Sequence, residues 1–200
     1  MRRQPARSVP TVKKLDGRHA RKTRTAEAIL SALHALLEEG VSEPTASQIA
    51  ERADVAVRSI GQHFRSREHL LLALAAFHAG RVPEPAPLNL SLPFDDRLSQ
   101  FVAARCQALE HSATMRKAAR EGARGSKAIA RALGEVIRRR RDELRRAFAA
   151  ELKGKPEWLT VCAELLASGS TWDALRHEQH LSLSAAQQVV LQALRHLLAP

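Results

Sequence analysis

Residues 46–64 have the sequence ASQIAERADVAVRSIGQHF, in which two short helical segments flank a turn. Ala50 and Ala53 are small enough for the two helices to cross closely, and Asp54 tolerates a left-handed backbone at the turn. Val55 and Ile60 are placed to pin the second segment against the first. The pattern predicts a helix-turn-helix, whose second helix can enter the major groove of a nucleic acid duplex.

The outward face of the second segment carries side chains that can contact bases or phosphates. They are Val57, Arg58, Ser59, Gln62 and His63. Arginine pairs with guanine, glutamine pairs with adenine, and valine can contact the methyl group of thymine. The alternative is an ordinary helical hairpin with a solvated face, because outward polar residues occur in both kinds of structure.

Further helices are predicted on both sides of this motif. Apolar residues at three- and four-residue spacing predict a helix over 23–39, which Gly40 ends. Thr45 can cap the first helix of the motif, and Ser66 can cap a longer helix over about 67–79. The first eighty residues therefore contain four predicted helices.

A proline-rich stretch at 82–93 prohibits a regular helix and indicates a domain boundary. Beyond it, apolar periodicity predicts helices from 95 or 96 to about 109, over 111–122, 126–152 and 156–177, and from about 184 onward. A composition rich in Ala, Leu, Arg and Glu, without tyrosine, also favours helix over strand. The predicted fold class is all-α, and the predicted domains are a basic, disordered arm (1–22), a three-helix helix-turn-helix domain (23–81) and a helical domain (82–200).

The formal net charge is +11, and most of it lies at the N-terminus. Residues 1–24 hold nine arginines and lysines against one aspartate, a net charge of +8 that leaves +3 for the rest. Such an arm suggests a nucleic-acid partner, because cations that meet phosphates release condensed counterions. A disordered solubilising tail explains the charge equally well. Contact of the arm with an adjacent minor groove is therefore a hypothesis.

Several other classes of protein and site are disfavoured. Cys106 and Cys162 lack a CxxC spacing, which indicates a reducing compartment, and the longest purely apolar run, 70–77, is too short to span a membrane. We therefore expect a cytoplasmic protein. Without a Walker loop, GxGxxG, GxSxG or HExxH, we expect no enzyme, no catalytic residue and no cofactor. His177 and His180 flank Glu178 at metal-ligand spacing, but two histidines alone are more typical of a helix end, so no metal is expected.

Residues 49–74, IAERADVAVRSIGQHFRSREHLLLAL, resemble the DNA-binding half of TetR-family repressors. In that family an Ile-Ala pair, a turn, a short recognition helix ending in Phe and a Ser-Lys-Glu-x-Leu step follow in this order. The matching residues are Ile49, Ala50, Val55, Ile60, Phe64, Ser66, Glu68 and Leu70, while Arg67 stands where lysine is usual. The similarity covers about 23–81 in residues and the remainder only in helical layout.

The resemblance implies that Thr45, Ser47 and Arg67 contact phosphates, beside the capping that Thr45 and Ser66 can also provide. The chain departs from the family pattern at four positions. Asp54 replaces a turn glycine, Arg58 replaces a small residue, and Gly61 with His63 replaces a pair of aromatic residues. The function that the resemblance implies is a sequence-specific repressor that a small-molecule effector releases from a palindromic DNA operator.

The resemblance also assigns two roles to the C-terminal domain. A homodimer is expected, with an interface at Val161, Leu165, Gly169, Trp172, Val190, Ala193, Leu194 and Leu197. The candidate effector-binding residues are Phe101, Cys106, Leu109, Met115, Phe148 and Trp158, which suit a small apolar or aromatic molecule. Ordinary core packing is the alternative for every residue of both sets.

A non-specific nucleic-acid-binding helical protein without an effector is the alternative function. The basic arm and the arginine run at 138–141 would then supply affinity without sequence preference. The four arginines, however, point to all sides of a helix and are followed by Asp142 and Glu143, a pattern typical of a solvated, salt-bridged surface.

Overall fold

The structure of the protein, a computed structural model, describes residues 13–81 and 87–199. Within these ranges the chain forms 11 α-helices and one π-helical turn, with no strand. The predicted all-α fold is confirmed. The chain divides after Phe77 into two compact units, so the division falls ahead of the proline-rich stretch. No helix of the described residues is both long and apolar enough to cross a membrane.

The helices of the first unit are α1 (Lys13–Glu38), α2 (Ala46–Arg52), α3 (Val57–His63) and α4 (Arg67–Ala79), the last of which crosses the division. Those of the second unit are α5 (Phe94–His111), α6 (Ala113–Ala123), α7 (Lys127–Ala147), α8 (Ala149–Leu152), α9 (Glu157–Leu166), α10 (Gly169–Asp173), a π-helical turn (Ala174–Glu178) and α11 (Leu183–Leu198).

Helix α1 begins at Lys13, well before the predicted start at residue 23. Its residues 19–24 are all exposed, so they lack the buried apolar stripe on which the prediction relied. Ala, Arg and Lys nevertheless have high helix propensity, which accounts for the longer helix. Cations at 21, 22 and 24 therefore lie on a helix surface, and residues 1–12 of the predicted arm lie outside the described residues.

The first unit has a small apolar core between α1, α2 and α3. Ile29 and Leu33 of α1, Ile49 of α2 and Ile60 of α3 are buried there. Gly40 ends α1 with a φ of +88°, and the backbone N–H of Val41 donates to the carbonyl of Leu36 at 3.0 Å. This left-handed cap was predicted from the position of the glycine.

The core of the second unit brings helices from the whole unit together. Helix α5 packs against α11, α9 also contacts α11, and α6 pairs with α7. The largest side chains below 2% exposure are Trp172, Phe148, Leu98, Leu109, Leu144, Leu194 and Leu198. The rings of Phe101 and Phe148 meet edge to face, with their centroids 5.2 Å apart.

Two long helices of the prediction are interrupted in the structure. The predicted helix over 126–152 is divided at Phe148 into α7 and α8. The predicted helix over 156–177 is divided into α9, α10 and the π-helical turn, because Ser168 begins a new helix by accepting the backbone N–H of Thr171 at 3.2 Å. The hydroxyl of Thr171 in turn donates to the carbonyl of Leu165. These side-chain hydrogen bonds compete with a continuous helical ladder.

A buried ion pair joins α5 to α8. The guanidinium of Arg97 binds the carboxylate of Glu151, and both side chains are about nine-tenths buried. Arg97 also donates to the backbone carbonyl of Leu92 at 2.7 Å, which holds the chain that leads into α5. Paired burial of this kind leaves either partner costly to remove alone.

Candidate nucleic-acid interface

A complete capping box fixes the start of α2. The backbone N–H of Gln48 donates to the Thr45 hydroxyl at 3.2 Å, while the backbone N–H of Thr45 donates to the Gln48 side chain at 2.8 Å. The predicted cap at Thr45 is confirmed. Thr45 and Ser47 are both exposed at this end of the helix. Their hydroxyl-bearing side chains are therefore accessible from solvent at a fixed position.

The turn between α2 and α3 has the backbone that Asp54 was predicted to accept. Asp54 has a φ of +52°, and its N–H donates to the carbonyl of Glu51 at 3.2 Å. The N–H of Val55 then donates to the carbonyl of Ala50 at 3.0 Å. These hydrogen bonds set the angle at which α3 leaves the turn.

Helix α3 has one buried side and one exposed side. Ile60 is buried, as is Phe64, which follows the helix. Val57 is 50% exposed although it is apolar, and Arg58 and Gln62 are also exposed. Residues 57, 58, 61 and 62 share one face at helical spacing. The structure therefore brings three of the five predicted base-reading side chains together on an open surface.

The other two predicted base-reading residues, Ser59 and His63, lie at the flank of that face and are half-buried. The His63 ring lies 6.2 Å from the ring of Phe64, centroid to centroid. Phe64 meets His69 of α4 edge to face at 5.8 Å. His63 is thus partly engaged with the aromatic contacts that hold α3 beside α4.

Ser66 fixes the start of α4. Its hydroxyl accepts the backbone N–H of His69 at 3.1 Å, so the predicted cap is confirmed. Arg67 follows and is exposed, with Nη2 at 3.7 Å from Oε1 of Glu43 in the loop before α2. This contact brings Arg67 toward the end of α2 that carries Thr45 and Ser47. An exposed pair of this kind adds less than about 1 kcal/mol, so a phosphate can displace the carboxylate.

Sequence reasoning missed two charge contacts of this unit, because each joins residues far apart in the chain. Glu43 beside Arg67 is one, and Glu39 beside Arg52 is the other. Hydrogen bonding to Arg52 lowers the pKa of Glu39, and the same contact raises the pKa of Arg52. Arg52 is therefore occupied at the far end of α2, while Arg58 and Arg67 lie on the predicted interface.

The predicted effector-binding residues are not brought to one surface. Phe101, Cys106, Leu109 and Phe148 belong to the apolar core of the second unit, and Met115 is buried in α6. Trp158 is 62% exposed on α9 and separate from that core. Burial raises the pKa of the Cys106 thiol to about 12, consistent with a packed side chain. Apolar periodicity could not separate core positions from an exposed position.

The structure buries some of the predicted dimer residues inside one chain and leaves others exposed. Trp172, Val190 and Leu194 are buried inside the second unit, so their side chains are already covered within one chain. Ala193 and Leu197 are half-buried on α11. Val161 and Leu165 of α9 are exposed, and they lie on the same side of the helix as Trp158.

Gly169 was predicted to lie in the homodimer interface, but its close neighbour in the structure belongs to the same chain. A Cβ at this position would lie 2.8 Å from Cδ and Nε of Arg116. The missing side chain therefore makes room for an arginine of α6 in the same chain. His177, Glu178 and His180 are exposed, and no cluster of three His, Cys, Asp or Glu residues suited to a metal occurs among the described residues.

Gly61→Ala is expected to raise the free energy of unfolding by about 0.5–1 kcal/mol, because alanine is the better helix former. A Cβ at Gly61 would meet no atom within 4 Å. Gly134→Ala, in the middle of α7, is the matched comparison and should give a similar gain in stability, because a Cβ there would also meet no atom within 4 Å. Urea denaturation checks both variants, and a loss of stability at either position contradicts the expectation.

Residues 29–74 match the family described as bacterial regulatory proteins, tetR family. The match contains all of α2, the turn and α3, and it extends into α1 and α4. No curated protein matches the chain.

Proposed function

We propose that this chain is a DNA-binding transcriptional regulator, and that it is a repressor which a small-molecule effector releases from a palindromic operator. The match of residues 29–74 to the tetR family supports the proposal. Regulators of this family are non-enzymatic DNA-binding proteins. The exposed face of α3 is the single observation that carries the proposal. Its Val57, Arg58 and Gln62 are open to solvent, while Ile60 anchors the helix from behind.

Each exposed residue of α3 has a defined chemical partner on a base edge. Arg58 can donate two hydrogen bonds to guanine, Gln62 can pair with adenine, and Val57 fits the methyl group of thymine. Ser59 and His63, at the flank, are suited to the sugar-phosphate backbone or to the edge of the site. Sequence preference is therefore assigned mainly to Arg58 and Gln62.

The phosphate contacts are assigned to Thr45, Ser47 and Arg67. Hydroxyl groups at the start of α2 and a guanidinium beside them suit the backbone of one strand, where they fix the register of α3 without reading sequence. Contact of the basic arm with the minor groove remains a hypothesis, and its residues 1–12 lie outside the described residues. We place the protein in the cytoplasm, where both free cysteines stay reduced.

A homodimer is part of the proposal, since one recognition helix contacts only a few base pairs. The support is the apolar face of α9, defined by Trp158, Val161 and Leu165. All three are large and exposed, and they follow one another at helical spacing. Exposed apolar residues that cluster in this way are typical of an interaction surface. Val189 of α11 is also exposed and apolar.

Replacing Arg58 and Arg67 separately tests the proposal, because the two are assigned different roles. Arg67→Ala should reduce the slope of log affinity against log salt by about one and weaken binding to all duplexes alike. Arg58→Ala should cost about 1–3 kcal/mol at the operator and relax the preference at one base pair. Operators selected from random duplexes, followed by fluorescence anisotropy at several salt concentrations, provide the measurement.

Arg52→Ala is the matched control for these variants, since Arg52 is exposed but already paired with Glu39. Its salt slope should equal that of the unmodified protein. Unrelated duplex supplies the second control, because a specific repressor prefers its operator by about 10³-fold or more. Equal affinity for operator and unrelated duplex would instead support the non-specific alternative.

A further inference from the structure

Three arginines meet inside the second unit, where charged side chains are seldom buried. Arg105 of α5 and Arg116 of α6 are each 8% exposed, and Arg140 of α7 is half-buried. Arg116 donates to the Ser112 hydroxyl at 2.8 Å, and Nη2 of Arg140 lies 3.5 Å from the same oxygen. Two guanidinium groups therefore converge on one hydroxyl group.

The first two arginines have strong partners within the chain. Arg105 donates to the carbonyl of Arg140 and to the carboxylate of Glu143, each at 3.1 Å, and stacks 4.9 Å from the centre of the Phe101 ring. Arg116 binds the carboxylate of Asp173. These contacts fix both guanidinium groups in place.

Arg140 is different, because among the described residues its only side-chain hydrogen bond is the long contact to Ser112. The carboxylate of Glu143, whose charge also acts on Arg140, is already bound by Arg105 at 3.1 Å and approached by Arg139 at 3.7 Å. Burial and the neighbouring charges of Arg105 and Arg116 lower the pKa of Arg140 to about 10, so it stays charged at neutral pH. Among the described residues this half-buried cation thus has no ion pair of its own.

The arginines of this cluster outnumber the carboxylates that pair with them, so the cluster can accept one further negative charge. Glu143 forms ion pairs with Arg105 and Arg139, and Asp173 forms ion pairs with Arg116 and Arg120. Within the described part of the chain Arg140 has no ion pair of its own, and the one carboxylate whose charge acts on it, that of Glu143, already pairs with Arg105 and Arg139. A planar guanidinium beside a second one is suited to binding a carboxylate or a phosphate through two hydrogen bonds. The Ser112 hydroxyl, which donates to the carbonyl of Ala108 at 2.7 Å and accepts from Arg116, helps to position the two guanidinium groups.

We propose that Arg140, together with Arg116, binds the carboxylate or phosphate group of a small anionic ligand in the second unit. The role of this ligand as the effector rests on the proposed function, whereas its binding does not. An anionic effector differs from the apolar or aromatic one that the sequence suggested, and four of the six apolar candidates pack into the core. Gly169 contributes by leaving space for Arg116.

Thermal unfolding of the full chain in inorganic phosphate or benzoate, at constant ionic strength, tests the proposal. We expect at least one of these anions, at about tenfold excess over its Kd, to raise the Tm by about 3–5 °C. Neutral benzamide, which has the same ring without the charge, should have no effect. Which anion acts separates a carboxylate ligand from a phosphate ligand. No shift with either anion would overturn the proposal.

Arg140→Gln separates binding from a structural role. Without added anion, this variant should be at least as stable as the unmodified protein, because it removes a half-buried charge that has no ion pair of its own, and it should lose the Tm shift. Arg138→Gln, on the exposed side of the same helix, is the matched control and should retain the shift. A destabilised Arg140→Gln variant, or one that keeps the shift, would contradict the proposal.

Two further measurements complete the test. Gly169→Ala should weaken anion binding measured by calorimetry at least tenfold, because the added methyl group displaces Arg116. Operator release by the same anion, at constant ionic strength, then tests the effector role. Anion binding without release would refute the role as effector and leave the site intact, while a protein that binds no operator would refute the proposed function instead.

Discussion

Leu165→Asp is expected to convert the proposed homodimer into a monomer and to lower operator affinity by at least about 100-fold. Leu165 is 55% exposed at the C-terminal end of the apolar face of α9, and the buried residues Ala163 and Ala167 lie on either side of it in the sequence. A carboxylate at this point would be buried against a second apolar face without a partner, which strongly opposes association. Loss of the second recognition helix then removes the gain from binding two half-sites at once, which is about 10²–10⁴-fold.

Sedimentation measures the oligomeric state of this variant, and anisotropy measures its affinity for the selected operator. Leu90→Asp is the matched control, because Leu90 is 57% exposed in the same unit but lies outside α9. It should remain dimeric with unchanged affinity. A Leu165→Asp protein that sediments as a dimer would show that another surface joins the two copies.

Glu151→Ala is expected to lower the free energy of unfolding by about 3–5 kcal/mol, because it leaves the buried guanidinium of Arg97 without its charge partner. The loss should be large because Arg97 also donates a hydrogen bond to the carbonyl of Leu92 and so holds the chain that leads into α5. Urea denaturation measures the change.

Glu157→Ala is the control for the loss of an ion pair. The Glu157 carboxylate binds Arg145 at 2.9 Å, but its side chain is 71% exposed, so the change should be below about 1 kcal/mol. Replacing Arg97 and Glu151 together by methionine should cost much less than Glu151→Ala alone, because no buried charge is then left unpaired. Equal losses for the single and double variants would contradict this explanation.

The helix-turn-helix could be predicted from the sequence because its determinants are local. The cap at Thr45, the turn at Asp54 and the anchor at Ile60 all lie within a few residues of the positions they control, and each was found where it was expected. The start of α1 could not be predicted in this way. Residues 19–24 of this helix are all exposed, so periodicity gave no signal there.

The roles within the second unit depended on contacts that no local pattern encodes. Trp158 and Trp172 belong to the same predicted helix, yet the break at Ser168 leaves one exposed and the other buried. The arginine cluster joins side chains from three helices, so neighbouring residues in the sequence gave no indication of it. Gly169 was noticed as a small residue, but only the fold identifies Arg116 as its neighbour.

Because the two cysteines are buried to different extents, a thiol reagent can label one of them selectively in the folded protein. Cys106 is 1% exposed and its thiol stays protonated, so an alkylating reagent meets it only when the unit opens. Cys162 is only half-buried and lies on α9 beside Val161. A maleimide dye would therefore attach at Cys162, next to the apolar face of α9, without any engineered cysteine. The rate of its attachment would show whether a second subunit covers that face.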